Sequence, residues 1–364
     1  MGTEHQRNRL LDFQKAILIF CVVWTHCATS FEAGVIEWKD NYLNVTMTTF
    51  QMPLFILISG YLLFYSFQRN KPGVIIVKKI LEVAFPAAIW NLGAFCVSLM
   101  LAGETVVFNL ALIKSVIIAI LGGLWYLWVY FFCAVTVCIV NIIAKKEWMR
   151  IGIFFLIEIV SHFVHMNTWY FGFMFPFFML GYYCNYFIQK YPNIPKGKMR
   201  YIMYILILLY PLLRLLYKPE YSMYITGVLF DTQNAAYTLY AYFIRFVTGI
   251  SGCAAVYWGS KAIYHLLNRK NVQLDWLCHL GKHSMAIYIM HMYMIDFIYA
   301  ISERYNIGTF MSANLPLLNF VIGPISACTL IAACVWIRFA LGYVPIIKDC
   351  IFGVSIKTLK QLVR

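Results

Sequence analysis

Charge is scarce in this chain. Only 12% of its 364 residues are Asp, Glu, Lys or Arg, and just 15 of them are acidic. A soluble domain of this length carries about twice that charged share, so the soluble globular class is excluded. The eleven cysteines include no CxxC pair and are scattered, mostly within apolar runs (Cys21, Cys96, Cys133, Cys253, Cys328). That spacing indicates neither a zinc site nor a disulfide framework, and no metal is expected. The cysteines read as small membrane-embedded hydrophobes. No internal repeat, low-complexity tract, long linker or separate soluble domain is visible, so residues 1–364 read as a single membrane-embedded domain.

What the chain has is apolar length. Hydrophobic residues make up 62%, aromatics 18%, and the mean hydropathy is +0.73. Ten runs can cross a hydrocarbon core of about 30 Å. They lie near 11–30, 46–67, 77–101, 124–144, 151–167, 170–188, 201–217, 236–258, 277–300 and 316–343. The fifth is short and ends in the His162/His165/Asn167 cluster. The stretch 104–122, interrupted by Lys114, reads as an interfacial or re-entrant helix. The expected fold is an all-α polytopic helix bundle.

The loops give an orientation. One set is basic: Arg69/Lys71/Lys78/Lys79, Lys145/Lys146/Arg150, Lys190/Lys196/Lys198/Arg200, Lys261/Arg269/Lys270, and a tail with Lys348, Lys357, Lys360 and Arg364. The alternate set is nearly bare, with Glu32, Glu37, Lys39 and Asp40, then Lys218, Glu220 and Asp231, then Glu303 and Arg304. Positive loops stay in the cytoplasm, so both termini are expected there. The net charge of +14 is then a topology signal that needs no nucleic acid to explain it. It also suits an anionic cytoplasmic ligand. The first run has a charged start and small residues at Ala28 and Ser30, but it is longer than a signal-peptide core and holds Asp12 at its start. A retained signal-anchor helix fits it better.

Five strings carry chemistry. The first places Asp12 and Lys15 at the start of an apolar helix and His26 near its far end, about 16 Å further along the axis. Intramembrane ionisable groups mark a site by default, although an interfacial anchor plus a satisfied core histidine would give the same string. The second, Phe50-Gln-Met-Pro-Leu-Phe-Ile-Leu-Ile-Ser-Gly-Tyr61, allows a bend at Pro53 and close helix approach at Ser59-Gly60; a plain packing kink would also use it. Lys78 and Lys79, at the mouth of the third run, suit an anionic group or lipid headgroups. Trp125, in Gly122-Gly-Leu-Trp-Tyr-Leu-Trp128, is an interfacial anchor or a platform for a sugar ring. The fifth string is Leu280-Gly-Lys-His-Ser-Met-Ala-Ile-Tyr-Ile-Met-His291. In it Ser284, Tyr288 and His291 fall at i, i+4 and i+7 on one helical face. Counted as about 14 residues into its helix, His291 reaches the same depth as His26. Glu158, Arg245, Asp296 and Arg338 remain as intramembrane charges that pair with one another or line the same cavity.

Together these strings resemble acyltransferase family 3, the integral-membrane O-acyltransferases of bacterial surface glycans. The family's opening Leu-Asp-x-x-Arg string, followed by a histidine after ten intervening residues, is matched by Leu11-Asp12-Phe13-Gln14-Lys15 and His26. Its second and fourth spans are similar to the Met52–Tyr61 and Leu124-Trp-Tyr-Leu127 strings, and its late helix to Leu280–His291. Two departures stand out. Lys15 replaces an arginine, exchanging a planar fork for a compact charge, and Glu82 stands where the family often has a second basic residue. No appended hydrolase-like domain is expected.

The resemblance implies a cytoplasmic acyl-CoA donor, acetyl-CoA foremost, used as a co-substrate with no bound cofactor. It also implies a sugar or glycan hydroxyl as acceptor. A pantetheine arm, as long as about five extended residues or roughly 17 Å, matches the depth between Lys15 and His26. On this reading Lys15, Lys78 and Lys79 hold CoA phosphates. His26 is the catalytic group with Asp12 and Lys15, acting as general base or through an acyl-histidine. Ser284, Tyr288, His291 and Trp125 orient the acceptor or stabilise an oxyanion. A transporter or channel for a small polar solute would share the intramembrane histidines, and a lipid-linked glycan flippase is a third possibility. The lipid bilayer is an expected partner, and a homo-oligomer is compatible with the sequence.

Overall fold

The computed structural model describes residues 8–103, 108–164, 170–192 and 196–353. His165, Asn167 and the tail cations Lys357, Lys360 and Arg364 lie outside the described residues. Among the described residues the fold is helical and has no strand. In chain order the helices are α1 (Arg9–Glu32), α2 (Tyr42–Thr48), α3 (Gln51–Phe67), α4 (Pro72–Lys79), α5 (Phe85–Ala102), α6 (Leu110–Gly122), α7 (Trp125–Ile143), α8 (Glu147–Ser161) and α9 (Phe171–Lys190). They continue as α10 (Lys196–Leu216), α11 (Met223–Thr226), α12 (Ala235–Arg269), α13 (Asp275–Lys282), α14 (Ser284–Arg304), α15 (Ile307–Ala313), α16 (Leu315–Leu317), α17 (Gly323–Leu341) and α18 (Pro345–Phe352).

Eight helical stretches among the described residues have the length and apolar composition to cross a bilayer: Arg9–Glu32, Tyr42–Phe67, Pro72–Ala102, Trp125–Ile143, Phe171–Lys190, Ala235–Arg269, Ser284–Arg304 and Leu315–Leu341. The chain is a multi-pass membrane protein. Of the other two expected runs, the seventh is covered by α10. The fifth is α8, whose 15 residues rise only about 22 Å. α6, in the interrupted stretch after residue 104, has 13 residues and is too short to cross.

The chain divides into two compact units. The first comprises Met1–Phe55, Asn193–Ile225 and Leu239–Trp336. Its axis is α1, which Asn8 starts by accepting the Leu11 amide on its side chain at 3.3 Å. The helix is apolar nearly all round, as a helix buried in the middle of a bundle must be, and Phe13, Leu18, Ile19, Val22, Val23, Cys27 and Ala28 are sealed. It packs along α13 and α14 and, at its far end, against α2 and α15. Phe13 joins Leu274 and Cys278 near one end, and Ala28 joins Leu43, Met311 and Leu318 near the other.

The second unit comprises Ile56–Pro192, Thr226–Thr238 and Ile337–Arg364. Here the expected close approach at Ser59-Gly60 is realised. A Cβ on Gly60 would lie 1.9 Å from the Phe178 carbonyl oxygen, and one on Gly181 would lie 1.9 Å from that of Leu57. α3 and α9 therefore cross with their backbones in contact, through a glycine contributed by each helix. Asn185 adds a bond to the Tyr61 carbonyl at 2.8 Å.

Two π turns, Ile80–Ala84 and Leu318–Ile322, interrupt the third and last spans. Each ends two residues before a proline, Pro86 or Pro324. Proline lacks an N–H and crowds the carbonyl four residues back, which is Glu82 in one case and Phe320 in the other. That carbonyl lies mid-way along each π turn, so the widened turn absorbs the clash. The expected ninth span is likewise not one helix. It breaks at His283 (φ −105°, ψ 12°) into α13 and α14, so His291 lies two turns into its own helix rather than about 14 residues in.

Candidate functional site

Within the first unit, three elements bring the sequence-derived candidates to α1. Lys15 and His26 are eleven residues apart, which on an α-helix returns to within about 20° of the same face. Asp12 pairs with Lys15 at 3.8 Å, their side chains 7% and 21% exposed. Gln14, on the opposite side of this turn, donates to the Tyr257 carbonyl at 3.1 Å and to the Ser260 hydroxyl at 3.2 Å on α12. That fixes the rotation of α1 about its axis and aims Lys15.

Gly281 explains the close spacing between α1 and α13. A Cβ there would lie 1.7 Å from the Asp12 carbonyl oxygen and 3.0 Å from the Ala16 amide nitrogen. No other residue lets α13 end against the first turns of α1. The chain then turns at His283, and α14 runs on beside α1.

The result is a histidine pair. The rings of His26 and His291 are 5.3 Å apart between centroids and inclined by 56°, and the Tyr288 ring lies 5.6 Å from that of His291. His26 is half-buried and His291 is sealed. The Nδ1 of His291 lies 3.0 Å from the Ile287 carbonyl oxygen. A carbonyl only accepts, so Nδ1 carries the hydrogen in this arrangement. The remaining nitrogen, Nε2, is buried without a hydrogen-bond partner. A bare imidazole nitrogen next to a second, partly accessible imidazole can accept and pass on a proton.

Ser284, at the start of α14, is half-buried about 10 Å below His291 along the helix. It shares the helical face of Tyr288 and His291 but not their level. Lys78, Lys79 and Trp125 belong to the second unit. Lys78 donates to Asn70 at 3.1 Å. Lys79 donates to the Tyr130 hydroxyl at 2.6 Å and lies 4.9 Å from that ring's centre. Trp125 packs edge-on against Tyr170, 5.1 Å between centroids, next to a Gly122-Gly123 turn that Asn91 holds by donating to the Ile120 and Gly123 carbonyls at 2.7 and 3.0 Å. Three of the other four intramembrane charges have local partners. Glu158 meets His162 Nε2 at 3.1 Å, Arg245 donates to the Tyr221 carbonyl, and Arg338 lies over the Phe352 ring.

One group differs from its sequence reading. Glu32, counted there with the outer-loop charges, is the last residue of α1 and only 1% exposed. Its carboxylate accepts from Asn41 Nδ2. Asn41 and Asn319 exchange amide bonds at 3.0 and 2.9 Å, and Trp24 Nε1 donates to the Asn319 carbonyl at 2.7 Å. The i, i+3 spacing of Asn41 and Asn44 beside an acidic helix end was the only local sign of this cluster. Its third arm, Asn319, comes from near the other end of the chain.

A polytopic helix bundle with ionisable rings paired inside it, a cation three turns away and a glycine-tight junction beside that cation gives a membrane protein with a candidate chemical site. Residues 8–339 match the family model described as an acyltransferase domain, Acyl_transf_3. The match covers nearly the whole chain, which belongs to this family and is a membrane acyltransferase. No curated protein and no solved structure matches the chain.

Proposed function

We propose that the whole chain is one membrane-embedded O-acyltransferase domain. It moves an acyl group, acetyl foremost, from cytoplasmic acyl-CoA to a hydroxyl of a sugar or glycan in the bacterial cell envelope. It works in the cytoplasmic membrane with both termini on the cytoplasmic side. The observation that carries this reading is the His26–His291 pair, 5.3 Å between centroids, with Lys15 on the same face of α1 as His26. The distance from Lys15 to His26, about 16 Å along the helix, suits the roughly 17 Å reach of pantetheine.

In the proposed reaction Lys15, oriented by Asp12, holds donor phosphate, and the thioester carbonyl lies near His26. The His26 imidazole takes the acceptor hydroxyl proton as the oxygen attacks that carbonyl. The C–S bond then breaks, and the thiolate leaves with the proton returned by the imidazolium. The products are the acyl ester and free CoA. His291 Nε2 is a second proton acceptor beside the acceptor hydroxyl, and Tyr288 and Ser284 orient the acceptor. Lys78 and Lys79 are proposed as donor phosphate ligands on charge alone, as cations at the basic mouth of their own span. Trp125 is proposed as a sugar platform on its ring chemistry alone.

Mass spectrometry of surface glycans from cells with and without the gene tests the proposal. Gain of one acyl unit on one sugar, lost again with His26→Ala, is the expected result. Identical glycans in both strains, together with gene-dependent uptake of a small polar solute, would replace the enzyme by a transporter.

A further inference from the structure

The cluster around Glu32 has acceptors that the fold leaves unmet. At the end of α1 and the start of α2 the two helices pair side chains in two successive rungs. Glu32 meets Asn41, and one turn earlier Thr29 accepts from Asn44 Nδ2 at 3.1 Å. Each rung leaves one buried oxygen without a hydrogen-bond partner, Glu32 Oε2 and Asn44 Oδ1. Asn44 is fully buried and Glu32 nearly so. The rungs are one helical turn apart, about 5 Å, and Thr29 is one turn beyond His26.

A buried carboxylate oxygen with no donor is costly, and more so at a helix C-terminus, where the backbone dipole is already negative. A hard cation is a poor remedy, because it takes six or more oxygens. Both lone pairs of Asn41 Oδ1 are already used, by Asn319 Nδ2 and the Leu43 amide at 3.0 Å, and Asn319 Oδ1 accepts from Asn41. Asn44 Oδ1 and an ionised Glu32 Oε2 only accept, so what completes them must donate, at two points on rungs about one helical turn apart.

We infer that Glu32 and Asn44 form a binding subsite for two hydroxyl groups of a polyol headgroup, one turn beyond His26. The inference rests on the proposed hydroxyl acceptor and deepens it. Glu32 and Asn44 grip hydroxyls that do not react and so present a neighbouring one to His26. Asn41, Asn319 and Trp24 are positioning residues that hold the Glu32 carboxylate.

The test uses the full chain in nanodiscs freed of detergent, with no acyl donor present. Octyl maltoside, below its micelle concentration, is the polyol probe. Octyl tetraethylene glycol, whose headgroup is rich in ether acceptors and has one hydroxyl, is the control. Saturable binding of the maltoside alone is expected. Its Kd should rise about tenfold or more in Glu32→Gln and in Asn44→Ala, since a charge-assisted or buried hydrogen bond is lost. Acetyl-CoA binding should be unchanged in both variants. If Glu32→Gln does not yield monodisperse protein, Asn44→Ala carries the test. Unchanged maltoside binding in the variants, equal binding of the two headgroups, or no saturable binding by the wild type would overturn the subsite. Stabilisation by sodium or calcium chloride that vanishes in Glu32→Gln would overturn it in favour of a cation. Because nothing turns over, these readings stand apart from whether His26 transfers an acyl group.

Discussion

The two ends of α1 handle charge in opposite ways. At its start, Asp12 and Lys15 form a loose pair at 3.8 Å, and the lysine remains partly exposed. At its close, Glu32 is sealed and held by an amide that Asn319 fixes in turn. The open end keeps a cation that a ligand can still reach, so its geometry can be approximate. The sealed end must satisfy every polar atom from within or by a ligand, because an unmet buried group costs about 1–3 kcal/mol. Between them, His26 is half-buried and faces a sealed His291. On the proposed reading the helix runs from recognition by charge, through chemistry, to recognition by directed hydrogen bonds.

Substitutions along this helix test that gradient. The largest effect is expected in the middle. His26→Ala should lower acyl transfer at least 10²-fold, the scale of a lost general base, while membrane insertion and thermal stability stay near wild type. Near-normal turnover by that variant would remove the contrast altogether. Next comes the junction at the open end. Gly281→Val would put side-chain carbon where the Asp12 carbonyl stands, so α13 must shift. A loss of about 3 kcal/mol, the upper range for overpacking, should appear as a clear drop in melting temperature of the purified protein. A variant as stable as wild type would mean that α1 and α13 are not pressed together here.

At the sealed end, Asn319→Ala takes from Asn41 both of its amide bonds to Asn319 and so loosens the group that holds Glu32. It should cost about 2 kcal/mol in stability with donor affinity unaltered, as read by denaturation and acetyl-CoA titration in parallel. A change confined to donor affinity would break the comparison. The mildest effect is expected at Lys15. Lys15→Ala should raise the donor KM about tenfold, or about 1.4 kcal/mol, and Lys15→Arg should keep most activity because it keeps the charge. Unchanged acetyl-CoA binding in Lys15→Ala would take the donor away from this end.

Local pattern made some of this legible. The i, i+4, i+7 spacing of Ser284, Tyr288 and His291 holds within α14, and Gly60 meets a neighbouring backbone as its small-residue string suggested. The break at His283 was not legible. Leu280–His291 is apolar enough to continue as one helix, and only the contact of Gly281 with Asp12 shows where it must end and turn. Glu32 was misplaced for a related reason. A charged residue at the end of an apolar run reads as loop until Asn41 and Asn319 are seen to cover it.

Membership of the membrane class was decided by the sequence alone, because apolar length and scarce charge leave a chain no other stable solvent. So was the list of groups able to do acyl-transfer chemistry, since ionisable side chains inside such runs are costly and few. Which of them meet was decided only by the tertiary structure. His26 and His291 are separated by most of the chain and come within ring contact because a glycine lets α13 end on α1 and α14 run on beside it. Glu32 became a sealed carboxylate, not a loop charge, because an asparagine from near the other end of the chain completes its cover. Such meetings depend on where helices touch, and no local run of residues encodes that.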